Sequence, residues 1–200
     1  MPTDEAYNIL GIDPGTTALG FAIVQVKGKK IVKVHDVGHL ALDSKRSHFE
    51  RLGDIHQFVL NQLFQHRPKE LAIEAPFFGK NVQSMLKLGR SQGVVIATAM
   101  SQGMSVAEYA PREIKQALTG RGNSSKEQVA AMARSICGPL PEPLSADATD
   151  ALGVAICHFF RLGNASQRPK ASASLRHMGG SAKGKNQWSD FLKAHPDRLK

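Results

Sequence analysis

Two short apolar runs that each end in an acidic residue constrain the fold of this chain more than any other feature. Residues 8–13 end at Asp13 and residues 70–74 end at Glu74, and a proline follows each run within two residues. Such runs are typical of central strands buried on both faces. Because adjacent strands lie about 4.8 Å apart, Asp13 and Glu74 would face each other if the two strands are neighbours. The alternative for Asp13 alone is that its carboxylate caps the turn that follows it.

The order of the predicted elements indicates an α/β protein with a five-stranded mixed sheet flanked by helices. Apolar runs predict strands at residues 7–13, 21–26, 31–37, 70–74 and 105–109. Helical spacing of apolar residues predicts helices at residues 49–66, 82–100, 111–118, 125–136 and 145–162. The first three strands would form an antiparallel meander, and helices would connect the later strands.

Composition predicts one domain over residues 1–163 and a basic, disordered tail over residues 164–200. The tail carries eight Lys and Arg against two acidic residues, whereas the rest of the chain carries 18 against 15. A basic tail suggests a polyanionic partner. Cys137 and Cys157 lie in apolar surroundings and are typical of reduced thiols. Without a signal peptide or an apolar run of about 20 residues, we expect a cytoplasmic protein with no membrane partner.

The last predicted helix contributes two more acids, Asp147 and Asp150, which lie on one face because they are three residues apart. They border its apolar stripe, which is Ala148, Ala151, Leu152, Ala155 and Phe159. Acids in a first helical turn are favoured by the helix dipole, so this pair alone has a structural explanation.

Together with Asp13 and Glu74, however, they form a set of four hard oxygen donors that suits Mg²⁺ or Mn²⁺. Two such ions about 4 Å apart would support phosphodiester hydrolysis.

Aromatic and basic residues in the same segments suit a nucleic-acid substrate. Phe77 directly follows the second acidic strand end and is the candidate for stacking on a base. The candidates for phosphate contacts are Lys80, Lys87, Arg90, Arg112, Lys115 and Lys126. A solvated helix surface is an equally good explanation for any one of these cations. His158 lies two helical turns beyond Asp150, too far to share a metal ion, and is expected to pack or to act indirectly.

Seven motifs in a fixed order carry a family resemblance. They are GIDPGTTALG at residues 11–20, AIEAPF at 72–77, KN at 80–81, KLGRSQGV at 87–94, EYAPREIKQ at 108–116, KEQV at 126–129 and ADATDAL at 146–152. Together they resemble the RuvC family of bacterial Holliday-junction resolvases, from about residue 8 to about residue 161. The resemblance implies a ribonuclease-H-like fold and a nuclease domain over residues 1–163.

The resemblance also implies activity and partners. It implies a homodimer that makes paired, symmetric, Mg²⁺-dependent nicks in four-way junction DNA during recombination and repair, with the RuvA–RuvB branch-migration complex as a partner. It assigns Asp13, Glu74, Asp147 and Asp150 as the catalytic, metal-binding acids. Phe77 is implied as the junction-stacking aromatic, and Lys115 and Lys126 as supporting basic residues.

Three other classes of protein remain as alternatives. An actin- or Hsp70-like ATPase shares a similar first hairpin, but it would need a second phosphate loop and a second domain. A ribonuclease-H-like nuclease that acts on structured RNA would share the acids. A non-catalytic nucleic-acid-binding protein would not need all four of them.

Overall fold

The computed structural model describes residues 5–76, 81–141 and 143–163, which form a five-stranded sheet and five helices. The strands are β1 (Tyr7–Asp13), β2 (Ala18–Lys27), β3 (Lys30–Ala41), β4 (Glu70–Glu74) and β5 (Ser105–Tyr109). The helices are α1 (His48–His66), α2 (Val82–Ser101), α3 (Pro111–Thr119), α4 (Lys126–Cys137) and α5 (Ala146–Gly163). The predicted α/β class and the element order are confirmed. The proposed tail, residues 164–200, lies outside the described residues.

The hairpin of β2 and β3 is longer than the sequence indicated. Strand β2 begins at Ala18 rather than at residue 21, and β3 continues to Ala41 rather than ending at residue 37. The two strands pair along their whole length, from Lys27 opposite Lys30 to Ala18 opposite Ala41. Backbone pairing with β2 therefore extends β3 beyond its apolar run, since the ladder does not require apolar side chains.

The sheet has the strand order β3-β2-β1-β4-β5. Strands β1, β2 and β3 pair antiparallel, whereas β4 pairs parallel to both β1 and β5. The carboxyl ends of β1, β4 and β5 therefore share one edge of the sheet. The chain enters α1, α2 and α3 from the ends of β3, β4 and β5, so these three helices also begin at that edge. We call it the catalytic edge.

Two apolar cores lie on opposite faces of the sheet. One joins the sheet to α3, α4 and α5, and the other joins it to α1 and α2. The predicted stripe on α5 underestimates its burial, because every residue from 148 to 159 except Asp150 is buried. Helix α5 lies between the sheet and the helices α3 and α4, so it contacts protein on almost every side. A helix in this position is apolar all round rather than amphipathic.

Two strand glycines allow α5 to lie against the backbone of β1 and β2. A Cβ atom on Gly11 would lie 2.8 Å from the Cβ of Ala155, and one on Gly20 would overlap the carbonyl oxygen of Asp147. Gly20 also pairs directly with Asp13 across the β1–β2 ladder. A glycine inside a strand often marks such a close approach. This contact brings the first turn of α5 to the end of β1.

Within the described residues, no helix is long and apolar enough to cross a membrane. Cys137 and Cys157 are both free, as expected. Burial raises the pKa of the Cys137 thiol to about 11 and that of Cys157 to about 12.

We expect Gly20→Ala to destabilise the fold by about 1–3 kcal/mol, because the added methyl group forces α5 away from β2. Displacing α5 also moves the first turn of that helix, which carries Asp147. Gly53→Ala is the matched control, since a Cβ at this helical position meets nothing within 4 Å. It should leave stability unchanged or raise it by up to about 1 kcal/mol. Urea unfolding of both variants checks the prediction, and equal effects would contradict it.

Candidate active site

Asp13 and Glu74 lie at the carboxyl ends of the neighbouring strands β1 and β4. They are one position beyond Ile12 and Ile73, which face each other in the parallel ladder. Both acids are half-buried. The two acid-ended strands are therefore neighbours, which is the condition under which the two acids were expected to face each other.

Burial and like charge together raise the pKa values of both carboxyls. Burial raises the pKa of Asp13 to about 8, and the charges of Glu74, Asp150 and Asp147 add to the shift. Burial likewise raises the pKa of Glu74 to about 7, with a further contribution from Asp150. The four predicted acids thus act on one another electrostatically, which requires that they lie close together.

The first turn of α5 supplies the other two acids. Ser145 caps this turn, since its hydroxyl accepts a hydrogen bond of 3.2 Å from the backbone N–H of Ala148. Asp147 and Asp150 are both half-buried at this end of the helix. The contact between Gly20 and the backbone of Asp147 fixes the turn beside Asp13.

Lys126 is the cation that contacts the acidic group directly. Its Nζ lies 2.7 Å from Oδ2 of Asp150, and this hydrogen bond raises the pKa of the lysine. Ser125 caps α4, so Lys126 occupies the first helical position, where the helix dipole disfavours a positive charge. The acids across the gap compensate for this unfavourable position. Lys115 also lies near the site, because its positive charge acts to lower the pKa of Glu74.

A cleft of about 190 Å³ opens beside the acids. Its charged side is formed by Glu74, Asp150, Lys115 and Lys126. Ile114 and Val129 belong to its apolar side. The walls of the cleft therefore carry two carboxylates and two lysines. This arrangement suits a negatively charged group that a cation links to the carboxylates.

The donor set fits a divalent cation, whereas the present side-chain arrangement does not enclose one. Four carboxylates supply the hard oxygen ligands and the negative charge that Mg²⁺ requires. Yet among the described residues no three His, Cys, Asp or Glu side chains converge as a metal cluster. Lys126 occupies one oxygen of Asp150.

The other predicted site residues fall into three groups. Lys87 and Arg90 lie on exposed positions of α2, outside the cleft. Arg112 packs against the backbone at Gly122, where a Cβ would lie 2.7 Å from its Cγ. Phe77 and Lys80 lie outside the described residues.

His158 is not among the acids, in agreement with the sequence argument. Its Nδ1 lies 2.6 Å from the hydroxyl of Tyr109, and its Nε2 hydrogen-bonds the carboxylate of Glu70. It therefore connects α5 to β4 and β5 in the buried core behind the site.

Sequence reasoning missed the role of Gln92, a buried residue of α2. Its side-chain amide donates a hydrogen bond of 2.7 Å to Glu108 and one of 3.5 Å to the carbonyl of Glu74. The backbone N–H of Ala75 donates to the carbonyl of Tyr109 at 2.8 Å. These contacts fix the end of β4. The available signal was a polar residue at a helical position that faces the core. Its partners, however, lie on two strands that are distant from it in the sequence.

Asp13→Asn should stabilise the metal-free protein increasingly as pH rises. The folded-state pKa of Asp13 lies above its ordinary value, so the folded chain keeps a proton that the unfolded chain loses. Stability of the wild type should therefore fall as pH rises from 3.8 to about 8, and the variant should escape this part of the loss.

Thermal unfolding in EDTA measures the effect, and we expect the variant's advantage to reach roughly several degrees at pH 8. Added Mg²⁺ should stabilise the wild type more than the variant. Asp43→Asn is the control, since this aspartate is exposed and is not among the charges that raise the pKa of Asp13. An advantage that does not vary with pH would contradict the assignment.

The comparisons with known proteins agree on one family. The profile of the family described as "Crossover junction endodeoxyribonuclease RuvC" matches residues 9–158. A protein of that name from Cytophaga hutchinsonii is 44% identical over 192 residues, covering 96% of this chain and 88% of the relative. The one from Bacteroides fragilis is 45% identical over 194 residues, covering 96% of this chain and 95% of the relative.

Solved structures agree with the sequence matches. Thermus thermophilus RuvC is 36% identical with a TM-score of 0.71, and the same protein in complex with a Holliday junction substrate has a TM-score of 0.73. Each match covers 78% of this chain and 95% of the solved one. The yeast mitochondrial Holliday junction resolvase Ydc2, at 12% identity and a TM-score of 0.54, shares the fold. The fold is thus ribonuclease-H-like, and the chain belongs to the RuvC family of crossover junction endodeoxyribonucleases.

Proposed function

We propose that this chain is a metal-dependent endodeoxyribonuclease that resolves four-way DNA junctions by paired, symmetric phosphodiester hydrolysis. The observation that carries the proposal is that Asp13 and Glu74 end neighbouring strands and that the charges of Asp147 and Asp150 act on Asp13. The T. thermophilus relative has been solved in complex with a Holliday junction substrate, which supports the same class of DNA as the substrate here. Recombination and repair are the processes that such an activity serves.

The four acids are the proposed ligands of Mg²⁺, with two ions per subunit and with Mn²⁺ able to substitute. Bound at this position, such ions would activate a water nucleophile and offset charge on the leaving oxygen. The protein's own contribution is placement. Asp13 and Glu74 are fixed by the parallel ladder, and Asp147 and Asp150 by the close contact of α5 with β2.

Lys126 and Lys115 are proposed to stabilise the negative charge that develops on the phosphate. Both lie at the walls of the cleft that contains Glu74 and Asp150. The hydrogen bond from Lys126 to Asp150 holds the ammonium group in place before substrate binds. A charge that is already positioned needs little reorganisation during the reaction.

DNA contacts outside the cleft are proposed for Phe77, Lys80, Lys87, Arg90 and Arg112. Phe77 would stack on an unpaired base at the junction, and the basic residues would contact phosphates. The basic composition of residues 164–200 suggests an additional, sequence-independent contribution to DNA affinity.

A homodimer is the proposed assembly, because a two-fold pair of sites matches the near two-fold symmetry of a junction. The exposed apolar residues at the start of α2 are the candidate contact surface, where Val82 is 73% and Leu86 49% exposed. The RuvA–RuvB branch-migration complex is the proposed partner that delivers the junction.

The central experiment compares cleavage of a synthetic four-way junction, a linear duplex and a structured RNA. We expect symmetric nicks in the junction with Mg²⁺, none with EDTA and none with Asp13→Asn, while Asp13→Asn still binds the junction through phosphate contacts. Cleavage of the RNA alongside an intact junction would instead support an RNA-processing nuclease. ATP turnover without cleavage would indicate that the β1–β2 loop is a phosphate loop.

Lys126→Gln should lower the cleavage rate by roughly 100-fold, because one preorganised donor to the developing charge is lost. Junction affinity should change little, since one phosphate contact among many is removed. Lys126→Arg keeps the charge and should recover part of the rate. Single-turnover cleavage, measured beside junction binding, separates the two effects. A variant that binds tenfold more weakly but cuts at the normal rate would contradict this role.

A further inference from the structure

A group of basic side chains lies on the other face of the sheet from the acids, at the start of α1 and α2. Both helices begin at the catalytic edge, and α1 packs against α2. The group consists of His48 and Arg51 on α1 and of Lys87 and Arg90 on α2. Burial lowers the pKa of His48, and the charges of Arg51, Arg90 and Lys87 lower it further, in agreement with a position of His48 near all three cations. We call these four side chains the α1–α2 basic cluster.

No carboxylate neutralises this cluster among the residues that the structure describes. The acids nearest in sequence are engaged with a different cation. Glu50 lies 3.8 Å from Arg46 and accepts a hydrogen bond from the N-cap residue of α1, and Asp54 hydrogen-bonds Arg46. Like charges held together without a counter-ion repel each other, so the positive charge of this cluster is not balanced.

Two nitrogen atoms of the cluster are also buried without a hydrogen-bond partner. They are Nε2 of His48 and Nε of Arg51. A buried donor that lacks an acceptor costs about 1–3 kcal/mol, and more when the group is charged. A guanidinium Nε–H has only a donor role, so the missing partner must be an acceptor. Positive charge together with an unused donor favours an oxyanion over a neutral acceptor as the partner.

Arg51 connects the α1–α2 basic cluster to the turn between β1 and β2. Its Nη1 donates a hydrogen bond of 2.8 Å to the carbonyl of Thr16 in the turn that follows Asp13. The same turn is tied to the end of β3, because the N–H of Leu42 donates to the carbonyl of Thr17 at 2.9 Å. An anion that fixes the Arg51 side chain would therefore also fix the turn that carries Asp13.

We propose that the α1–α2 basic cluster binds one phosphate of the DNA backbone and thereby fixes the position of the β1–β2 turn relative to the substrate. The proposal rests on DNA being the substrate, and it adds His48 and Arg51 to the contacts inferred from sequence. A phosphodiester provides two acceptor oxygens and one negative charge, which matches the unused Arg51 donor and the excess positive charge. The site lies at the catalytic edge, so a strand that reaches the acids passes close to it.

The test measures junction affinity against salt concentration in an Asp13→Asn background, which prevents cleavage. Lys87→Gln and Arg90→Gln are the informative variants, because both side chains are exposed and their replacement leaves the core intact. Each should weaken binding by roughly tenfold. The slope of log affinity against log salt should fall by up to about 0.9, the value for one phosphate. Arg46→Gln is the matched control, since this arginine lies beside the same helix start but is already paired with acids.

A junction series with a single neutral methylphosphonate at successive positions locates the phosphate. At one position in the DNA, the methylphosphonate should weaken binding of the parent protein. At that same position it should weaken binding of the Arg90→Gln variant little further. In addition, NMR titration of His48 should show its pKa rising when the junction is added. Burial and the neighbouring cations hold that pKa below its ordinary value in the free protein, and a bound phosphate offsets them.

Equal losses in Arg46→Gln and Arg90→Gln would overturn the inference, because the effect would then be that of general surface charge. An unchanged salt slope in both cluster variants would overturn it as well. Failure of the parent protein to bind the junction at all would instead count against the proposed function. Thermal unfolding of each variant confirms that the comparison is made on folded protein.

Discussion

The contact between α5 and the backbone of β1 and β2 is the constraint on which the candidate active site depends. Gly11 and Gly20 leave no side chain between helix and sheet, so the first turn of α5 lies against the strand that pairs with Asp13. Burial of apolar side chains along the helix stabilises this position. Leu152 and Ile156 are fully buried, and each such residue contributes about 1.5–3 kcal/mol. Apolar packing behind the site thus offsets the cost of bringing acids together in front of it.

That cost is visible in the ionisation of the acids. Burial and mutual repulsion raise the pKa values of Asp13 and Glu74, whereas Lys126 is held in its charged form by Asp150. Lys115 and Lys126 do not balance four carboxylates, so the group favours either protons or additional cations. A divalent ion would compete with protons for these carboxylates, which agrees with the metal-binding role proposed for them.

Sequence reasoning predicted the order of all ten elements, because this order follows from periodicity and from the position of prolines. It left open whether the two acid-ended strands are neighbours, since pairing depends on the whole sheet. It did not predict the pairing of Lys126 with Asp150, which depends on how α4 packs against α5. The role of Gln92 was missed for the same reason. The stripe expected on α5 is buried, but it is only part of the buried surface because helices cover the outer side as well. Local patterns determine elements, whereas partner choice depends on tertiary packing.

Acidic side chains and the α1–α2 basic cluster lie at one edge of the sheet but on opposite faces. This separation of charge bears on how the protein would bind DNA. Four carboxylates repel a polyanion, so the acids cannot be the source of affinity for a phosphate backbone. Under the proposed function, the attraction comes from cations around the acids, among them the α1–α2 basic cluster. A strand held by that cluster would cross the acids at the strand ends. Binding and hydrolysis are therefore assigned to different residues, and substitutions of the acids and of the surrounding cations should separate them.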